Sequence, residues 1–386
     1  MSKLLKTLII TLLSCALVFS ITACNNGNDD QNDATVTGEF VYKLYTDEED
    51  DHKYYAVTGY TVTSEDAVKM ATGDFSSFTS EQREITIPST HGEGEKEYPV
   101  EEIAPAAFAD QVILKKVTVN SNIKKIGEGA FSGCTNLEEL TLPFVGKTAD
   151  SHNSERVFGY LFGSGSTGDG NVQITAKIHK EEEEAGTTFS VPASLKTVTV
   201  HSNKIPECAF YGMAMLQSVE FPNATSIGAY AFQGCSLLTQ ANLGNVTEIY
   251  DGAFQLCTSL QKAVFAEGLT FVGEYAFSGC SRLGLNYATN DKDTITVKLP
   301  STVNYLGKYA FSNCLELKYV DISACSALET VYEGTFSSCE SLEEVKVHGN
   351  TIFRAGTFSK SPKLDESKII GAGANKFEAG AFGTIE

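Results

Sequence analysis

One phenylalanine frame governs this chain. The stretch IGEGAFSGCTNLEELTLP, residues 126–143, returns as IGAYAFQGCSLLTQANL, IYDGAFQLCTSLQKAVF, VGEYAFSGCSRL, LGKYAFSNCLELKYVDI and VYEGTFSSCESLEEVKV, with a weaker copy in IAPAAFADQVILKKVTV. Aligned on the aromatic, the series runs Phe108, Phe131, Phe162, Phe210, Phe232, Phe254, Phe277, Phe311, Phe336, Phe358 and Phe382. Seven of the ten gaps lie between 22 and 25 residues, so the period is about 23 and the longer gaps carry insertions. A fixed period of this length means stacked repeats. It also decides a chemical question. Gly127, Gly129, Gly133 and Cys134 together suggest a phosphate loop or a nucleophile turn, but a catalytic turn occurs once and this one recurs.

Within one repeat, Ala130, Phe131, Cys134 and Leu137 follow i, i+1, i+4, i+7, which predicts one face of a short helix or 3-10 turn. Leu140 and Leu142 then alternate about Thr141, which is strand spacing, and Pro143 closes the strand. The segments LKKVTV, LKTVTV, LQSVEF, LKYVDI and LEEVKV follow the same rule. The predicted fold is therefore an α/β repeat solenoid of strand plus short helix units. No unit can bury its apolar side alone, and stacking at ~4.8 Å merges those sides into one core.

Cysteine usage fits this frame. Of ten cysteines, Cys134, Cys235, Cys257, Cys280, Cys314 and Cys339 sit three residues after the repeat phenylalanine. A position shared by repeats is an interior slot, where a free thiol behaves as a small hydrophobe. Equivalent slots lie near one another, so sequence alone leaves pairing open.

The frame GxxAFxxCxxLxxVxLP resembles the BspA-type leucine-rich repeat of bacterial surface proteins, over about residues 85–386. YAVTGYTVTS, ITIPST and YPVEEIAPAAF also resemble that family's N-terminal module. The resemblance implies a β-rich cap with the first repeat over 36–100 and a solenoid over 101–386. Strands at 40–45 and 54–61 would cover the open end of the core. Insertions are expected at 148–188 and 286–293, and LFG replaces AFxxC around Phe162. The resemblance further implies adhesion to host matrix proteins or to other cells.

The N-terminus carries a separate signal. Lys3 and Lys6 precede the apolar run TLIITLLSCALVFS, which has signal-peptide character. The run ends in ITAC, which resembles the bacterial lipoprotein box. That resemblance implies cleavage after residue 23, lipid attachment at Cys24 and a membrane anchor through the acyl chains. Residues 24–35 are polar and without periodicity, as a tether requires. The expected location is the bacterial cell surface, facing outward.

Losing residues 1–23 removes two lysines and no acid, moving the formal charge from −20 to −22. Such a chain lacks the basic stripe a nucleic-acid partner needs. No H-E-x-x-H, G-x-S-x-G, C-x-x-C or Walker-type motif is present. The reading is of a non-enzyme with no cofactor and no metal. Its expected partner is an extracellular protein or glycan, gripped by outward side chains of the strands. Thr141, Glu220, Tyr319, Asp321, Glu343 and Lys346 are the candidate contacts. The competing reading is an accessory subunit or hydrolase acting on surface glycans or peptides. Its site would lie in the 148–188 insertion, where His152 and His179 share a loop with the acidic run 181–184.

Overall fold

A computed structural model describes residues 39–74, 77–164, 170–176, 186–285, 296–349, 351–371 and 376–383. They wind into a parallel β-solenoid of about 11 turns. Each regular coil has three sides: a longer strand, a two-residue strand and a run of turns carrying the repeat phenylalanine.

The longer strands stack in parallel register. Glu84–Thr86, Lys116–Thr118, Glu139–Leu142, Thr197–Val200 and Ser218–Glu220 form one sheet. The pair Gln240–Leu243 and Lys262–Phe265 follows it in the chain, then the set from Thr296–Lys298 to Ile369–Gly371. The short strands stack likewise from Lys204–Ile205 to Tyr305–Leu306, and again from Thr330–Val331 to Lys376–Phe377.

Among the described residues the regular repeat forms turns in place of the expected short helix, and the backbone shows why. Around Phe232, alternate N–H groups go to different places. Those of Tyr230, Phe232 and Gly234 donate to Asp251, Ala253 and Gln255 in the next coil at 2.8–2.9 Å. Those of Ala231, Gln233 and Cys235 donate within their own coil, three residues back, at 3.1–3.2 Å. A helix sends every N–H four residues back and leaves none for a neighbour. The two residues flanking the aromatic at ±2 are left-handed, as at Gly129 and Gly133, with φ of 63° and 73°. That alternation stops a helix from propagating. Each turn is closed by a three-residue bond, such as Cys134 N–H to Phe131 and Leu137 N–H to Cys134. Phe131, Cys134 and Leu137 all point inward as a result, which imitates helical spacing.

The core is a column. Phe210, Phe232, Phe254, Phe277 and Phe311 are fully buried and stack coil on coil, with centroids 5.1–5.2 Å apart and planes within 11°. Each such ring contributes ~1.5–3 kcal/mol of apolar transfer. The column shifts at the irregular coil. Phe162 packs on Phe131 at 6.4 Å, but Phe158 packs on Phe210 at 5.0 Å, and the two touch at 5.5 Å. The 3-10 turn Phe158–Leu161 makes that handover, and the hairpin Asn171–Ala176 with Thr187–Pro192 follows it.

The N-terminal end is covered by strand Glu39–Thr46, antiparallel to Lys53–Thr61, which runs parallel to Tyr98–Ile103. Phe40 and Tyr60 lie on Phe108 at 6.2 and 5.9 Å and close the column. The cap also holds a helix, Ser64–Thr72, between an N-capping Thr63 and a left-handed Gly73. Thr63 and Gly73 are its start and stop signals in the sequence.

Truncating Phe232 to Ala opens a gap in the middle of the column. We expect a loss of ~3–5 kcal/mol, read as a lower midpoint in urea titration. An unchanged midpoint would place Phe232 outside the core.

Candidate functional site

On the longer strands the middle side chains, such as Val117, Leu140, Val198 and Val219, are buried, and their neighbours face out. In-register stacking turns equivalent outward positions into rows. Thr118, Thr141, Thr199 and Glu220 form one such row. Beside it the acids are paired across coils. Lys115 Nζ lies 2.8 Å from Glu138 Oε1, and Lys116 Nζ lies 2.9 Å from Glu139 Oε2. The Lys115 hydrogen bond holds the Glu138 carboxyl below its usual range.

Farther along, Thr296, Tyr319 and Glu344 form one row, and Lys298, Asp321 and Lys346 another. Tyr319 is half-buried, and its hydroxyl donates to Glu343 Oε2 at 3.2 Å. Tyr319, Glu343, Glu344, Pro362, Lys363 and Lys368 line an open depression of about 530 Å³. Asp321 has a local duty as well. Its Oδ1 accepts from the Ser323 N–H at 3.0 Å and from the Ser323 hydroxyl at 2.6 Å, which fixes the turn after the strand. Tyr319, Asp321 and Lys346 are thus brought onto neighbouring strands, with Glu343 just before the second of them. Thr141 and Glu220 are not: six coils separate Thr141 from Tyr319, a distance of ~29 Å at the parallel-strand spacing.

This repeat geometry has a known counterpart. The BspA type leucine-rich repeat region matches residues 71–153, 186–295 and 286–385, in six copies. The chain belongs to that family. Solved structures similar to it include a leucine-rich repeat protein from Bacteroides ovatus, 19% identical with a TM-score of 0.38, the match covering 89% of this chain and 91% of that one. A leucine-rich cell surface protein from Faecalibacterium prausnitzii is 16% identical with a TM-score of 0.30, over 94% and 99% of the two chains. The pneumococcal vaccine antigen PcpA is 14% identical with a TM-score of 0.23, over 89% and 100%. No functionally curated protein matches the chain.

Elsewhere in this BspA type protein, polar chemistry is structural. The eight cysteines among the described residues are buried. Each thiol of the repeat position donates to the carbonyl of a phenylalanine in another coil, Cys134 to Phe108 at 3.1 Å and Cys235 to Phe210 at 3.2 Å. Burial pushes the Cys134 thiol up to about 12. His52 lies 3.0 Å from Glu101, which Lys124 also holds at 2.9 Å; this cap cluster carried no motif in the sequence. Among the described residues no group of three or more His, Cys, Asp or Glu side chains could hold a metal. None of their helices is long and apolar enough to cross a membrane. Cys24, His179, the acidic run 181–184 and the insertion 286–293 lie outside the described residues.

A thiol this deeply buried has almost no thiolate at neutral pH. We expect iodoacetamide to leave Cys134 unlabelled in the native protein and to label it readily in urea. Native labelling faster than that of the unfolded chain would restore Cys134 as a nucleophile.

Proposed function

We propose that this protein is a lipid-anchored bacterial cell-surface protein that binds a macromolecular ligand, an extracellular protein or glycan, through its longer-strand side. It performs no chemistry of its own in this reading. The observation that carries it is the convergence of Tyr319, Asp321, Glu343 and Lys346 beside an open depression. A half-buried tyrosine held by a carboxylate is pre-set for contact, since little conformational freedom remains to be lost on binding. The alternation of Lys298, Asp321 and Lys346 offers donors and acceptors in fixed register to a long ligand. Family membership supports an interaction role, and the ITAC box supports the anchor.

The ligand is sought by presenting the chain lacking residues 1–24 to arrays of extracellular proteins and glycans. With a ligand in hand, changing Tyr319→Ala, Asp321→Asn and Glu343→Gln together should weaken binding by ~10-fold or more at an unchanged thermal midpoint. Unaltered affinity would move the site off this side. The anchor is tested separately: a Cys24→Ser chain should lose radiolabelled palmitate incorporation and leave the membrane fraction. Continued incorporation would show the lipid to be elsewhere.

A further inference from the structure

The short-strand side carries an aromatic surface that the binding reading above does not use. Tyr250, Phe271, Tyr305 and Tyr332 come from four consecutive coils and form a row, with centroid separations of 5.8, 4.8 and 5.6 Å. Phe271 and Tyr305 lie face to face within 5°, while Tyr250 and Tyr332 at the ends are tilted by 47° and 44°. Tyr250 is 39% exposed.

A second row lies nearby on the turns. Tyr275 and Tyr309 stack at 5.1 Å within 6° of parallel, and Tyr275 is 38% exposed. Tyr230 and Tyr309 cover Gly252 and Gly334 of the following coils so closely that a Cβ there would fall within 2.5 Å of the rings. The backbone at Tyr230, Tyr275 and Tyr309 is left-handed, with φ of 56–57°. Bulky side chains are disfavoured there. Other coils place Gly129, Gly252, Gly334 and Gly356 at the same point of the repeat. Three tyrosines therefore stand where glycine satisfies the fold without strain.

Between the two rows run the side chains at the next position, Asp251, Glu274, Lys308 and Glu333. Lys308 Nζ lies 3.7 Å from Glu333, which also accepts the Tyr309 hydroxyl at 3.1 Å; Asp251 Oδ1 accepts the Glu274 N–H at 2.8 Å, which sets these two acids side by side outside that pair. Asp251 and Glu274 add to burial in resisting ionisation of the Tyr230 and Tyr305 hydroxyls, which marks the strip as electronegative.

These features discriminate between ligands. A sugar ring stacks on an open aromatic face, but Phe271 and Tyr305, and likewise Tyr275 and Tyr309, cover one another's faces. An anionic surface is repelled by the acids. A guanidinium meets the strip on both remaining counts: its planar fork pairs with carboxylates and its stem packs on ring edges. We propose that this aromatic and acidic strip is a second binding surface, distinct from the longer-strand side, for an extended arginine-rich polypeptide segment.

The test is fluorescence anisotropy with labelled nona-arginine and the full chain, near ~0.15 M salt, where diffuse attraction is largely screened. Asp251→Asn with Glu274→Gln should weaken binding by ~10-fold or more, and so should Tyr275→Gly with Tyr309→Gly, which leaves the charge unchanged. The glycine variants install the residue other coils already carry. Should that double variant fail to fold, Tyr250→Ser at the exposed end of the first row repeats the measurement. The Tyr319, Asp321, Glu343 variant should bind the peptide as before. Three results each overturn the proposal: no binding by the unaltered chain, loss only with the charge variant, or loss with the Tyr319 variant. The first two leave the longer-strand site untouched, so the two readings fail separately. Displacement of the peptide by neutral cellohexaose would assign the strip to a glycan instead.

Discussion

Everything in this solenoid hangs on the way the turns beside each phenylalanine divide their backbone hydrogen bonds. One N–H closes its own turn and the next reaches the adjacent coil. The left-handed residues at ±2 from the ring impose that alternation. It ties the non-strand side of the coil to its neighbours as firmly as the two strand sides are tied by their ladders. No side of the column then depends on side chains alone, and buried polar backbone is satisfied throughout the turn stack, as an interior requires.

Once the pitch is fixed on all sides, every repeat position becomes a row. The inner rows are rings and thiols. Phe232 touches Phe210 and Phe254, while Cys257 donates to the Phe232 carbonyl at 3.1 Å. The thiol thus satisfies its weak donor without needing a partner sulfur. The outer rows carry charge. Cation and acid stand one coil apart in the pairs Lys125–Glu102, Lys115–Glu138 and Arg354–Glu378. Exposed pairs of this kind contribute little to stability singly. Their effect is on the surface pattern, because they neutralise acid locally in a chain of formal charge −20.

That pattern separates the sides of the molecule. The longer-strand side has threonine and mixed charge, with its paired acids held by lysines one coil away. The short-strand side concentrates tyrosine and acid between Tyr230 and Tyr332. The first side presents donors and acceptors of both signs, and the second presents ring edges and carboxylates. Such repetition suits many modest contacts rather than a single deep pocket.

The period, the buried frame and the sidedness of the strands were determined by the sequence itself. They follow from where Phe131, Cys134, Leu137, Leu140 and Leu142 recur, and inward-facing positions repeat whatever the local backbone does. The conformation of the AFxxC segment was decided by tertiary structure. Its spacing of buried residues is common to a helix and to a train of three-residue turns. Only a neighbouring coil, by accepting every second N–H, selects the turns. The handover of the ring column from Phe162 to Phe158 was equally hidden, because it depends on which ring the next coil meets. The candidate contacts were legible one strand at a time, as outward residues between inward ones. Which of them stand together was not. Thr141 and Asp321 hold the same place in their own repeats, yet the stacking sets them six coils apart. The tyrosine and acid rows appear in the sequence only as scattered letters, because a row exists once coils of unequal length are brought to a common pitch.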